Sequence, residues 1–100
     1  MAEGNEPRPV DEYLTLFSYN PNGCTDLNSP TNTGNKLFIL QPYVWNASNN
    51  PTTGGGGILM TMYYSNAYTA GTQLAFGIDI QGAYYRRLRN GEWQAWVSLI

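Results

Sequence analysis

One hundred residues with 12% charged side chains and a formal net charge of −2 make one domain, with no general attraction to nucleic acid or anionic membrane. A single cysteine and no histidine exclude an intrachain disulfide, a zinc site and the common nucleophile–base arrangements of hydrolases. Eight Tyr, three Trp, three Phe, eleven Gly and six Pro, with charge at about half its usual share, point to β structure whose surface is polar and uncharged or buried against copies of itself.

Residues 1–11 are acidic and carry Pro7 and Pro9, so they read as an extended arm or linker, with a single β domain over 12–100. Nothing there has the form of a signal peptide, and no apolar run approaches the ~20 residues of a membrane span. Tyr13–Ser18 is the first expected strand, ended by the turn chemistry of Asn20-Pro21-Asn22-Gly23. Thr25–Asn35 is rich in Thr, Asn, Ser, Pro and Gly and reads as loop, with Asp26 a turn residue and Cys24 a small structural one. Lys36–Gln41 follows as a buried strand stopped or kinked by Pro42, which has no N–H to give a central ladder.

Residues 46–57, NASNNPTTGGGG, read as a flexible loop. Its Asn46-Ala47-Ser48 is an accidental sequon without a signal peptide, and its glycines precede a strand with no Lys-Ser or Lys-Thr, unlike a phosphate loop. Ile58–Tyr64 is apolar on both faces, as a central strand is, and residues 65–72 are loop. Gln73–Ile80 alternates, with Leu74, Phe76, Ile78 and Ile80 on one side and Asp79 on the outward side. Gln81-Gly82 turns the chain into the last hairpin. No helical period holds over ten residues, so the expected class is all-β: a compact antiparallel sheet or sandwich ending in a four-strand meander over 58–64, 73–80, 83–89 and 92–99.

Tyr84–Ile100 is the most informative stretch. Asn90-Gly91 is the strongest short hairpin signal, since both loop positions of a type I′ turn need φ > 0. A two-residue loop pairs Arg89 with Glu92, Leu88 with Trp93 and, continued, Tyr85 with Trp96 and Tyr84 with Val97. One face then holds Tyr84, Arg86, Leu88, Trp93, Ala95 and Val97 and belongs to the core. There Arg86 forms a structural clamp over Trp93, its other donors taken by carbonyls or by Asp26 or Asp79. The opposite face holds Tyr85, Arg87, Arg89, Gln94 and Trp96. Aromatic rings beside Arg and Gln suit sugars, yet the same face could pack against another subunit or sheet. Tyr63, Tyr64, Asn66 and Tyr68 are further loop candidates. The carboxylates Asp26, Asp79 and Glu92 have no catalytic or metal-ligand spacing, so neither catalysis, cofactor nor metal is expected.

Several pieces in order resemble the pyocin-knob domain of phage and R-type pyocin tail fibres. They are Thr25-Asp26-Leu27-Asn28, Gly34 after a Thr-rich run, Asn46-Ala47 before the glycines, Gln73-Leu74-Ala75, Tyr84-Tyr85-Arg86 and the Trp93-x-x-Trp96 ending. The resemblance covers about 26–99; Pro is missing after Asn46-Ala47, and the Leu37–Trp45 segment is longer than the pattern. It implies a non-enzymatic virion component made in the host cytoplasm, usually trimeric and at or near the receptor-binding end of a fibre. This chain is then a fragment of a longer fibre or a small separate virion protein. Expected partners are copies of itself, other fibre proteins and a bacterial surface glycan, without nucleic acid or membrane insertion. The alternative is a decoration or tip protein, or the trimer-stabilising terminal domain of a tailspike, with no receptor contact.

Overall fold

The computed structural model describes residues 17–100. The expected arm over 1–11 and residues 13–16 of the expected first strand lie outside them. Eight strands follow: β1 (Phe17–Tyr19), β2 (Cys24–Asp26), β3 (Phe38–Ser48), β4 (Gly57–Tyr63), β5 (Gly71–Gly77), β6 (Gly82–Arg89), β7 (Glu92–Trp93) and β8 (Val97–Ser98). All belong to one curled sheet in the order β1-β3-β4-β5-β6-β7, with β2 also on β3 and β8 also on β6. The chain is all-β, without a helix among the described residues. Its second half is an antiparallel meander whose fourth strand is divided into β7 and β8. β1 and β2 pair with β3 in parallel.

Pro42 lies inside β3, opposite Ile58, rather than ending it. The carbonyl of Leu37 accepts from Tyr63 on the β4 side, and that of Leu40 accepts from Asn20 on the other. Alternation therefore turns the Pro42 nitrogen away from β4, toward the gap where β1 has ended and β2 has not begun. A missing donor costs nothing where no acceptor waits. The expected loop 46–57 is likewise shorter and more tied than its composition suggests. β3 runs through Ser48, Asn50 Nδ2 donates to the Gly55 carbonyl (2.8 Å), and Asp79 Oδ2 accepts the Gly56 N–H (2.8 Å). Asp79 thus belongs to a four-residue turn, 78–81, and holds the neighbouring loop. At Gly57 a Cβ would run into the Phe76 carbonyl oxygen and stand 2.8 Å from the Tyr43 hydroxyl oxygen, so this strand start accepts only glycine.

Cross-strand partners share a face. One face carries the rows Ile39–Thr61–Gln73–Arg86 and Gln41–Leu59–Ala75–Tyr84, and all of these except Tyr84 are buried. The Asn22–Thr31 segment crosses this face. Leu27, fully buried, packs with Leu59 and Ala75. Gln41 Nε2 donates to the Asn22 carbonyl (2.9 Å) and Gln73 Nε2 to the Leu27 carbonyl (2.7 Å). The covering layer is backbone-rich, which is why two glutamines are at home in the core: its carbonyls need donors.

The opposite face carries Phe17–Phe38–Met62–Thr72–Arg87, Tyr19–Leu40–Met60–Leu74–Tyr85–Val97 and Pro42–Ile58–Phe76–Ala83. None of these residues is buried. The larger apolar side chains of β5, Leu74 and Phe76, lie on this open face, with Ile78 and Ile80 in the turn beyond it. The covered face has Gln73 and Ala75 instead, because Leu27 fills the space above them.

Candidate functional site

The Asn90-Gly91 turn has φ of 52° and 79°, and Arg89–Glu92 and Leu88–Trp93 pair across it as the two-residue loop dictates. The Gln94 N–H still donates to the Arg87 carbonyl (2.8 Å). Beyond that the register shifts by one, and Tyr85 faces Val97 while Tyr84 faces Ser98. The expected Tyr85–Trp96 pair is therefore not formed. A one-residue slip exchanges faces. It carries Trp96 to the covered side, puts Val97 on the open one, and leaves Ala95 exposed.

The slip explains the Trp-x-x-Trp spacing, which would place its rings on opposite sides of a regular strand. Here both rings flank one guanidinium: Arg86 Cζ lies 4.6 Å from the Trp93 ring centre and 4.4 Å from that of Trp96. Arg86 Nε donates to Gln73 Oε1 (2.8 Å), and Gln73 Nε2 also donates to Thr61 Oγ1 (3.0 Å). The partner is thus a side-chain amide rather than the expected backbone carbonyls or carboxylate, and Nη2 has no hydrogen-bond partner among the described residues. Burial lowers the Arg86 pKa to about 10, partly offset by the field of Asp26, so the cation persists at neutral pH. The indole N–H groups reach outward: Trp93 donates to the Asn28 carbonyl (3.2 Å) and Trp96 to that of Asn49 (2.8 Å). Asp26 Oδ1 accepts from Asn28 N–H (3.0 Å) and Asn49 Nδ2 (2.7 Å), joining the same two loops. This cluster holds the covering layer onto the sheet around a buried cation.

The remaining candidates meet at the other side. Tyr85, Arg87 and Arg89 project from β6 onto the open face, beside Met62 and Tyr64 after β4 and Thr72 on β5. With Tyr63, Ala70, Gly71 and Leu88 they line an open groove of about 460 Å³. Two groups that are separate in sequence, the 63–64 tyrosines and the β6 arginines, therefore form one site. Its end is braced where the Gly91 N–H donates to the Thr69 carbonyl (2.9 Å), tying the hairpin tip to the 64–70 loop. Tyr68 has φ of 59° and meets Tyr63 edge-on at 4.9 Å, its buried hydroxyl without a partner among the described residues. Burial, and secondarily Tyr68, push the Tyr63 pKa up. Asn66 is exposed in the loop and does not line the groove, and Gln94 is exposed with its amide on the Glu92 carbonyl (3.0 Å).

Sequence reading passes over Gln73, the polar partner of Arg86, and Thr61, which accepts from Gln73. Their signal is one polar residue on the same face of each apolar strand, Thr61 in β4 and Gln73 in β5, which resembles an ordinary solvent face until the covering loop is known. Met62 and Thr72 are groove walls only through strand pairing with Arg87, and Ala70 only through closure of the 64–70 loop, so the sequence does not mark them. Searches of the whole chain against protein-family models, curated proteins and solved structures find no match.

Proposed function

We propose that the chain is a non-enzymatic, knob-like module of a virion fibre, associated with copies of itself, that adsorbs to glycan on a bacterial host surface. The observation that carries this reading is the open sheet face, apolar through its middle and ending in the aromatic–arginine groove. Half-exposed Leu40, Met60, Leu74 and Phe76 form a surface that gains from being covered, and a contiguous apolar patch of this kind marks an association site. A homotrimer held there, in an exposed appendage, leaves the loop end of the sheet for the host. The ordered motifs that resemble the pyocin-knob family support the same assignment.

Solution mass and binding to bacteria, measured on one sample, test it. The expected result is a particle three times the 11.1 kDa chain that binds cells. A monomer that binds no bacteria overturns the reading. A second reading, a decoration, tip or tailspike-terminal module joined to other virion proteins, draws on the same apolar face, which association alone would satisfy. A trimer that fails to bind cells selects it.

A further inference from the structure

Resting on the adsorption reading, we propose that the groove takes an acidic saccharide, with the sugar ring against Tyr85 and Tyr64 and its carboxylate between Arg87 and Arg89. The two arginines stand two residues apart on one face of β6, so their Cα atoms are roughly 7 Å apart. That spacing lets both planar guanidinium forks reach one carboxylate, the geometry in which arginine is most selective. Both are exposed, and neither forms an ion pair or side-chain hydrogen bond among the described residues. Glu92 is the register partner of Arg89, yet no ion pair joins them, so two cations against one anion leave the mouth positive on a chain that is negative as a whole.

The rest of the groove is apolar or aromatic, which suits the C–H face of a sugar ring and leaves the polar groups to fix its orientation. A neutral saccharide would cover two guanidiniums without answering their charge, an unfavourable burial. Two arginines are also too few to follow a nucleic-acid backbone. The same charges mark where contact between copies of the chain ends, since burying them against another copy leaves them unpaired.

The test uses the full chain on an array carrying hexuronic and nonulosonic acids, their methyl esters, neutral hexoses and hexose phosphates. Retention of the acids is expected, weakening as salt rises and falling at least about tenfold on esterification, the scale of one charge-assisted hydrogen bond. The double variant R87Q/R89Q should lose binding to a similar degree with its solution mass and melting temperature unchanged. Glu92→Gln should bind several-fold more tightly, an effect that a purely structural role for the arginines does not produce. Failure to retain any acidic sugar, equal retention of acid and ester, or preference for the phosphates overturns the proposal. So does a double variant that changes solution mass but not binding. Cell binding separates the two readings. If wild type and R87Q/R89Q adsorb equally, the groove assignment fails and adsorption stands; if wild type retains acidic sugars but no cells, adsorption fails and the groove stands.

Discussion

Arg86 is the residue on which the covered side converges. It spans two indoles and an amide, and each indole holds a loop by its N–H. A lysine there keeps the charge but cannot lie flat between rings while donating to Gln73. Arg86→Lys should therefore cost about 1–3 kcal/mol, from stacking and one charged hydrogen bond. That lowers the melting temperature by ~5 °C or more, and an unchanged value in a thermal scan would remove the clamp. Cys24 gives a pH signature. Burial, reinforced by Asp26 and opposed by the bond from its thiol to the Asp26 carbonyl, raises the thiol pKa above its ordinary 9.0. The unfolded chain then ionises first, so stability is complete below pH 9 and declines as pH rises, by at most about 1.4 kcal/mol per unit for one proton. Tyr43 and Tyr63 act in the same direction above pH 10, whereas Arg86, lowered to about 10, acts in the opposite one. All of these groups begin to titrate before pH 10, so the thiol is read as the difference between wild type and Cys24→Ala: from pH 9 to 10 the melting temperature should fall more steeply in wild type.

At the scale of elements, the terminal hairpin shows how a turn and its strands can be decided separately. Asn90-Gly91 sets the first pairs locally, because both residues adopt left-handed backbone. Gly91 has open space around its missing Cβ but φ of +79°, so Gly91→Ala should cost only the strain of about 1 kcal/mol. Gly57 is the reverse case, where a Cβ meets backbone and the Tyr43 ring. Gly57→Ala should be the more destabilising of the two, and comparison of their denaturant midpoints checks the order. Past Gln94 the pairing answers to Trp96, whose burial over Arg86 and bond to Asn49 outweigh one regular ladder step.

At the scale of the molecule, the described residues cover the sheet on one side only. Leu59 on the covered face is fully buried, and Leu59→Ala should cost about 2–5 kcal/mol of folding stability. Leu74 is on the open face, where a charge would disturb the proposed association rather than folding. Leu74→Asp should leave the melting of the isolated chain nearly unchanged and bring the solution mass down to the 11.1 kDa monomer. A Leu74→Asp chain that keeps the wild-type oligomeric mass would show that copies meet elsewhere.

The sequence by itself determined the strand class, the meander and the Asn90-Gly91 turn, because these rest on interactions within a few residues: alternation, β-branched and aromatic content, and allowed φ. It also marked Arg86 and Trp93 as sharing a face, since the two-residue loop sets Leu88 opposite Trp93 and side chains two apart on a strand point the same way. Which face of β5 is covered was decided only by the tertiary structure. Leu74 and Phe76 are the more apolar choice, yet Leu27 and the carbonyls of its loop settle over Gln73 and Ala75, and hydrogen-bond satisfaction there selects the polar side. The same holds for the groove, whose Tyr63 and Tyr64 lie more than twenty positions before Arg87 and Arg89 and meet them only because β4, β5 and β6 lie side by side. Local chemistry writes the strands; the layer that covers them chooses their inner face, and with it what remains outside to bind.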